Sequence, residues 1–330
     1  MLNVAVKLRK DKIMKIVILE SLGISDKELN IIAKPLTDSG HELVVYDDGK
    51  LDDETIKVRI KDAEVLVIAN TPLSSDVIDA AEKLKYISIA FTGYNHIDLE
   101  KCKEKGIKVS NAAGYSTHSV AELTFGLITA LLRSIVPLDA VLREGGTKTG
   151  YRQLDLNGKT LGVLGTGDIG SAVAKLGLAY GCKVIAYNRS VNQELVEKGV
   201  EYKSLDAVLE ASDIVTLHIP LTDETKNLID KEKLALMKSS SFLINTAIGP
   251  VVDHDALAEA LHNGSIAGAG LDRVEMEPPV PTDYPILAAP NTVIVPHVGY
   301  ATDEAMVRRA NITFDNIVKW ENGAQENIVI

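Results

Sequence analysis

A chain of 330 residues with 46% hydrophobic and 25% charged side chains is long enough for two lobes or one large α/β unit, and its balance excludes disordered and fibrous classes. The net charge of −11 repels nucleic-acid phosphates and anionic lipid over most of the surface, so neither is expected as a partner and an anionic ligand must be held by local donors. Cys102 and Cys182 lie far apart with no CxxC, which argues against a disulfide framework or a zinc site and suits free thiols in a reducing cytoplasm.

The start of the chain interrupts its apolar residues with Lys7, Arg9, Lys10, Asp11 and Lys12, so no signal-peptide core forms; residues 1–13 read as an extension before a strand near Met14. Short runs rich in Val and Ile then alternate with helix-length patterns, the mark of βα units around a parallel sheet. A first set predicts strands over 15–19, 42–46, 64–68, 86–90 and 107–110, separated by helices near 26–38, 53–60, 75–83 and 98–105. THSVAELTFGLITALLRSI follows as one long helix, apolar on most faces and therefore buried; it carries Arg133 and is too short in its apolar part for a bilayer. The polar, glycine-rich REGGTKTGYRQLDLNG reads as a boundary loop. A second set predicts strands over 160–165, 183–187, 213–217, 241–245, 266–271 and 292–295, and six strands suit a complete doubly wound sheet. The last long helix is opened by a Thr302 cap with Glu304 close behind and closed by Gly323.

The nucleotide signal stands at the start of the second set. GVLGTGDIG places Gly165, Gly167 and Gly170 in GxGxxG spacing directly after a strand and before a helix that begins with Asp168 and Ile169. Glycines at these three points allow the tight turn, the approach of backbone to a pyrophosphate and the close packing of helix on strand. The helix N-terminus offers unpaired N–H groups, which lets an acidic protein hold phosphates. The next strand, KVIAY, runs into Asn188, Arg189 and Ser190, where an NAD(H) site usually presents a carboxylate to the ribose hydroxyls. Asn188 does not repel a 2′-phosphate, and Arg189 and Ser190 offer it a cation and a hydroxyl, which favours NADP(H) and leaves NAD(H) open.

With this fingerprint at mid-chain, the blocks FTGYNHIDL, STHSVAEL, LHIPLTDETKNLI, LINTAIGPVVDHDAL, AGAGLDRVEMEPP and PHVGYAT complete a pattern over residues 14–326. The chain so read resembles the D-isomer-specific 2-hydroxyacid dehydrogenase family, which includes glyoxylate and hydroxypyruvate reductases, D-lactate dehydrogenases and phosphoglycerate dehydrogenases. The resemblance implies two doubly wound α/β lobes: a Rossmann cofactor domain over 114–300 inserted into a flavodoxin-like substrate domain built from 1–113 and 301–330. It also implies a cleft between the lobes, a cytoplasmic homodimer, no metal, and hydride transfer between a nicotinamide and a small 2-oxo or 2-hydroxy acid.

The family's catalytic His and Glu fall on His297 in PHVG and Glu277 before Pro278. Reduction of a ketone needs a proton donor beside the carbonyl oxygen, and an imidazolium held by a carboxylate suits that task near neutral pH. By the same resemblance Thr92, Gly93 and Asn70 face the substrate, and Val120 and Asp272 face the nicotinamide. His218, Pro220 and Thr225 match the adenosine side, and Thr246 and Ala247 also match cofactor positions. His96, His118 and His254 match no role and are expected to be solvated or locally bonded.

Two departures stand out. The turn that the family writes NTARG, whose Arg holds the oxo acid's carboxylate and polarises its carbonyl, reads NTAIG here, with Ile248 in the Arg position. Losing a hydrogen bond to a charged group costs ~1.5–3 kcal/mol, roughly ten to a few hundredfold in rate or affinity. The block usually written LDVF reads LDRV, which raises the idea that Arg273 moves the cation to the next strand end, although adjacent strand residues point to opposite faces. Besides an impaired dehydrogenase, three readings stay open: a reductase of a carbonyl lacking the carboxylate, a catalytically silent NAD(P)H-binding regulator, and an active parent altered at 248 and 273.

Overall fold

The computed structural model describes residues 13–49 and 51–330, so the extension over residues 1–12 lies outside the described residues. The chain divides into two compact units, one holding the chain up to Ser116 and again Ala301–Ile330, the other Thr117–Tyr300.

The first unit carries β1 (Lys15–Ile18), β2 (Glu42–Val45), β3 (Val65–Ile68), β4 (Tyr86–Ile89) and β5 (Lys108–Asn111) in one parallel sheet of order β2-β1-β3-β4-β5, the flavodoxin-like arrangement. Its central strands are mostly apolar because both faces are covered: Val17, Leu66 and Ile87 face one core, Ile16, Val65 and Val67 the other. The C-terminal helix Asp303–Glu321 closes the second face. Phe314 and Ile317 enter that core, Trp320 stacks on Tyr86 at 4.6 Å, and the Ser88 hydroxyl donates to the Thr313 carbonyl across 2.9 Å. The return of the chain's end to this sheet follows from those contacts.

The second unit carries β6 (Thr160–Leu164), β7 (Lys183–Tyr187), β8 (Glu201–Tyr202), β9 (Ile214–Leu217), β10 (Phe242–Asn245), β11 (Gly268–Leu271) and β12 (Thr292–Ile294). Their order, β12-β11-β10-β9-β6-β7-β8, is the doubly wound Rossmann order with one strand added at the far edge. Helices Thr117–Leu132 and Asp168–Ala179 cover one face around Leu161, Val163 and Val184. Helices Leu205–Ala211, Lys231–Leu236 and His254–His262 cover the other around Val215, Leu243 and Leu271.

Three expected elements differ. The helix over 26–38 is two helices, Asp26–Ile32 and Lys34–Asp38, divided beside Pro35, which has no N–H to continue the ladder. The long helix from Thr117 ends at Leu132 and a second, Ile135–Arg143, leaves at 55° to it. Pro137 is the cause: its ring would strike the carbonyl of Arg133, so the chain breaks there, with Ser134 at φ +49°. The seventh strand, β8, is two residues long and pairs only with β7, too short for any periodic signal. Among the described residues no single helix is long and apolar enough to cross a membrane.

Candidate active site

Gly165 follows β6 with φ +92°, and a Cβ on it would lie 2.4 Å from the His218 carbonyl oxygen, so both its backbone and its surroundings require glycine. Gly170 sits in the first turn of the helix Asp168–Ala179, where a Cβ would meet the Gly165 carbonyl oxygen at 1.9 Å. Gly167 differs: it caps that helix, no side chain caps it in turn, and a Cβ there would meet nothing within 4 Å. The protein leaves that space open at the helix end, with Asp168 and Ile169 in the first turn. The Tyr202 hydroxyl on β8 donates to Thr166 Oγ1 across 2.9 Å and steadies the loop from the side, a support that sequence reasoning missed because β8 was missed.

A cavity of about 360 Å³ opens on this loop and takes in Asn188, Arg189, Ser190, His218, Pro220 and Thr225. Asn188 turns back on its own loop, its Nδ2 donating to the Ser190 carbonyl at 2.8 Å. Arg189 is exposed and forms no ion pair among the described residues. Thr225 Oγ1 donates to the Pro220 carbonyl and accepts from the Thr222 N–H, each at 2.7 Å, which shapes the turn after β9. Desolvation pushes His218 down to about 3, so its ring, 2.9 Å from Thr216 Oγ1, stays neutral at physiological pH.

The second group lies beyond β10, β11 and β12. His297 Nδ1 and Glu277 Oε2 are 3.0 Å apart, and the Glu277 carboxylate also receives Arg273 Nη2 on its other oxygen. His297 has φ +57°, a left-handed conformation that costs a non-glycine residue about 1–3 kcal/mol. Asp272 holds it there. Its carbonyl accepts the His297 N–H at 2.7 Å, and its carboxylate, 2% exposed, accepts from Val298 at 2.7 Å and from Gly299 at 3.0 Å. Burial pushes the Asp272 carboxyl up from its ordinary value, against the pull of those two N–H groups. Asp272, Arg273, Glu277 and His297 share a cavity of about 250 Å³ whose other walls include Val274, Met276 and Val280.

Thr246, Ala247 and Ile248 leave the end of β10. Asn245 organises their turn, accepting from the Ala247 N–H at 3.0 Å and donating to the Ile248 carbonyl at 3.2 Å. The turn is pressed against the start of the Glu277 loop, since a Cβ on Gly249 would lie 1.8 Å from the Val274 carbonyl oxygen. The half-buried Ile248 side chain packs against the apolar core of the unit and brings no donor to the turn. Thr246 Oγ1 lies 2.9 Å from Thr124 Oγ1, whose hydroxyl donates to the Val120 carbonyl at 2.8 Å, so Thr124 on the helix Thr117–Leu132 links Thr246 to the Val120 backbone. Val120, Thr246, Ala247 and Ile248 line neither of the two cavities above. A further cavity, about 760 Å³, lies at the opposite, N-terminal ends of the strands beneath the helix Ile135–Arg143 and holds none of these residues.

In the first unit Asn70 follows β3, and Thr92 and Gly93 follow β4, at the C-terminal ends of adjacent strands. The Thr92 carbonyl accepts Asn111 Nδ2 at 2.7 Å, and Gly93 has ordinary backbone angles with only the Phe91 ring near its Cβ direction. Glu20, just after β1, was not foreseen: its Oε1 accepts the N–H groups of Ala69, Asn70 and Thr71 at 2.8, 3.0 and 2.8 Å. Of the three unassigned histidines, expected to be solvated or locally bonded, His118 is exposed, His96 is half-buried and His254 is buried at 3% exposure. Cys102 and Cys182 are free and buried, and burial pushes both thiols up, Cys102 to about 11.

A model of the NAD-binding domain of D-isomer specific 2-hydroxyacid dehydrogenases matches residues 125–299. The chain belongs to that family. This dehydrogenase is 40% identical over 273 residues to the glyoxylate reductase of Korarchaeum cryptofilum, covering 80% of this chain and 82% of that protein. An acyclic imino acid reductase in complex with NADPH and D-Arg superposes with a TM-score of 0.84 at 28% identity, covering 96% of this chain and 100% of that one. The D-lactate dehydrogenase from Aquifex aeolicus, complexed with NAD and lactic acid, gives 0.79 at 32% identity over 94% and 96% of the two chains. The dehydrogenase is therefore a nicotinamide-dependent oxidoreductase of the 2-hydroxyacid type, and the open cradle at Gly167 fits that cofactor.

Proposed function

We propose that the enzyme reduces a small 2-oxo acid to its D-2-hydroxy acid, favours NADP(H) over NAD(H), and turns over slowly because Ile248 stands where a guanidinium would hold the substrate carboxylate. The observation that carries this reading is the His297–Glu277 pair, 3.0 Å apart, in the unit that also holds the glycine loop. The bound nicotinamide supplies the hydride. Gly167 and the first turn of the helix Asp168–Ala179 would hold the pyrophosphate with backbone N–H groups, while the Gly165 N–H is donated to the Tyr187 carbonyl at 2.8 Å and fixes the turn. A carboxylate oxygen can only accept, so Glu277 fixes the proton of the neutral ring on Nδ1 and leaves Nε2 to exchange a proton with the carbonyl oxygen. Val120, Thr246, Ala247 and Asp272 bound the nicotinamide on this reading, with His218, Pro220 and Thr225 on the adenosine side, while Asn70, Thr92 and Gly93 serve the substrate. The preference for NADP(H) is supported by Asn188, Arg189 and Ser190 standing after β7 where a carboxylate is usual, although Glu224 lines the same cavity, and by Arg189, which forms no ion pair among the described residues.

Ile248 packs against apolar core, which favours a second reading in which it is the wall of a pocket for a carbonyl compound without a carboxylate. We read the protein as a cytoplasmic homodimer. The helix Ile135–Arg143 buries none of its residues and exposes Ile135, Val136 and Leu142, the surface a second copy would cover, and the two buried thiols suit a reducing compartment.

The test is turnover of NADPH and NADH, side by side, with glyoxylate, hydroxypyruvate, pyruvate, a branched 2-oxo acid and neutral ketones, for the chain and for Ile248→Arg. A gain of roughly ten- to a few hundredfold in kcat/KM on a 2-oxo acid by the variant is expected. Faster turnover of neutral ketones by the unaltered chain would replace this reading with the second.

A further inference from the structure

Glu277 is the most exposed member of the site, at 53% of its side chain, against 21% for His297 and 22% for Arg273. It lies in an irregular stretch between β11 and β12, with no helix or strand to hold it. A carboxylate so placed gains rotational entropy by swinging into water, and that freedom opposes the single hydrogen bond to His297. Arg273, four residues earlier, is bonded to Oε1 while His297 Nδ1 stands at Oε2, so the two cationic donors take one oxygen each. Most of the Arg273 side chain is enclosed. Its Nε is enclosed with no acceptor, and the adjoining Val274 carbonyl is pressed against Gly249. One of its nitrogens is thus spent on Glu277 and a second is closed off from a ligand.

The geometry points to Arg273 as a positioning residue for the proton-transfer pair: it pins Glu277 so that Oε2 faces His297, and through that bond it sets which ring nitrogen carries the proton. This rests on the oxo-acid reduction proposed above, but one of its readouts does not.

Arg273→Met and Arg273→Lys are made in the full chain, alone and with Glu277→Gln, and the His297 ring nitrogens are followed by ¹⁵N NMR with NADPH bound. The unaltered chain is expected to hold the proton of the neutral ring on Nδ1. Arg273→Met spreads it over both nitrogens, and Arg273→Lys restores most of the bias. In an Ile248→Arg background Arg273→Met lowers kcat on the best 2-oxo acid roughly ten- to a hundredfold with KM unchanged, since misplacement of a reacting group costs on that order. In the Glu277→Gln background removing Arg273 changes kcat no further. An unchanged ring in Arg273→Met, or a kcat loss that adds to that of Glu277→Gln, overturns the inference. A raised KM at constant kcat overturns it in favour of a direct hold on substrate. If no 2-oxo acid is turned over even with Ile248→Arg, the proposed reaction fails while the NMR result still decides Arg273.

Discussion

Gly167 and Gly170 occupy one motif and do different work. At Gly170 a methyl group would have to enter the space of the Gly165 carbonyl oxygen 1.9 Å away, so Gly170→Ala is expected to destabilise the unit by about 1–3 kcal/mol, as overpacking does, and to abolish cofactor binding. At Gly167 a methyl group meets no protein atom within 4 Å, so Gly167→Ala should leave the melting temperature unchanged and weaken the dissociation constant for the nicotinamide cofactor. Thermal melts beside fluorescence titration with NADPH separate the two, and equal losses of stability would contradict the assignment. The glycine spacing was legible because each glycine answers a local need visible in a strand–turn–helix context. The grip of Arg273 on Glu277 was not. An Arg and a Glu four residues apart suggest a pair only on a helix, and here the intervening backbone is irregular. The burial of His254 was not legible for a related reason: its place at a helix start gives no sign of the packing around it, where its ring centroid lies 6.2 Å from that of Tyr284.

At the level of elements, caps and apolar runs were the readable part. Thr302 accepts the Ala305 N–H at 3.1 Å as the cap of the helix Asp303–Glu321, and Thr302→Ala is expected to cost about 1 kcal/mol, seen as a lowered melting temperature of the first unit with cofactor affinity unchanged. A variant whose melting temperature matches that of the unaltered chain would show that the cap contributes nothing. The strands of both sheets other than β8 were legible because burial on two faces makes most of them near-continuous apolar runs bounded by turns. The break before Ile135 was present in the sequence as Pro137, but apolar residues on both sides of it extended the helical pattern and masked the interruption. Two-residue β8 carries no period at all, and only its register against Ile185 and Ala186 makes it a strand.

Across the molecule, desolvation holds His96 and His254 below their ordinary value of 6.5 and takes His218 down to about 3. These rings are neutral in the folded chain where the unfolded chain would take up protons. Below pH 6.5 the unfolded state therefore binds more protons, and stability falls by up to about 1.4 kcal/mol per pH unit for each such ring, the window for His218 closing near pH 3. Urea midpoints measured from about pH 8 to about pH 5 should be level above 6.5 and decline below it. A midpoint that rises on acidification would sink this account.

Both sheets are parallel, and in each the strand order reverses at one place, between β1 and β3 in the first and between β6 and β9 in the second. Parallel sheets take ligands at such reversals. In the first unit the reversal is already plugged: Glu20 lays its own carboxylate across the three N–H groups that would greet an incoming anion. In the second it ends in Gly167, with no side chain at all. One glutamate and one glycine thus divide labour between two lobes of like architecture, and a nucleotide meeting either sheet finds a vacant socket in only one.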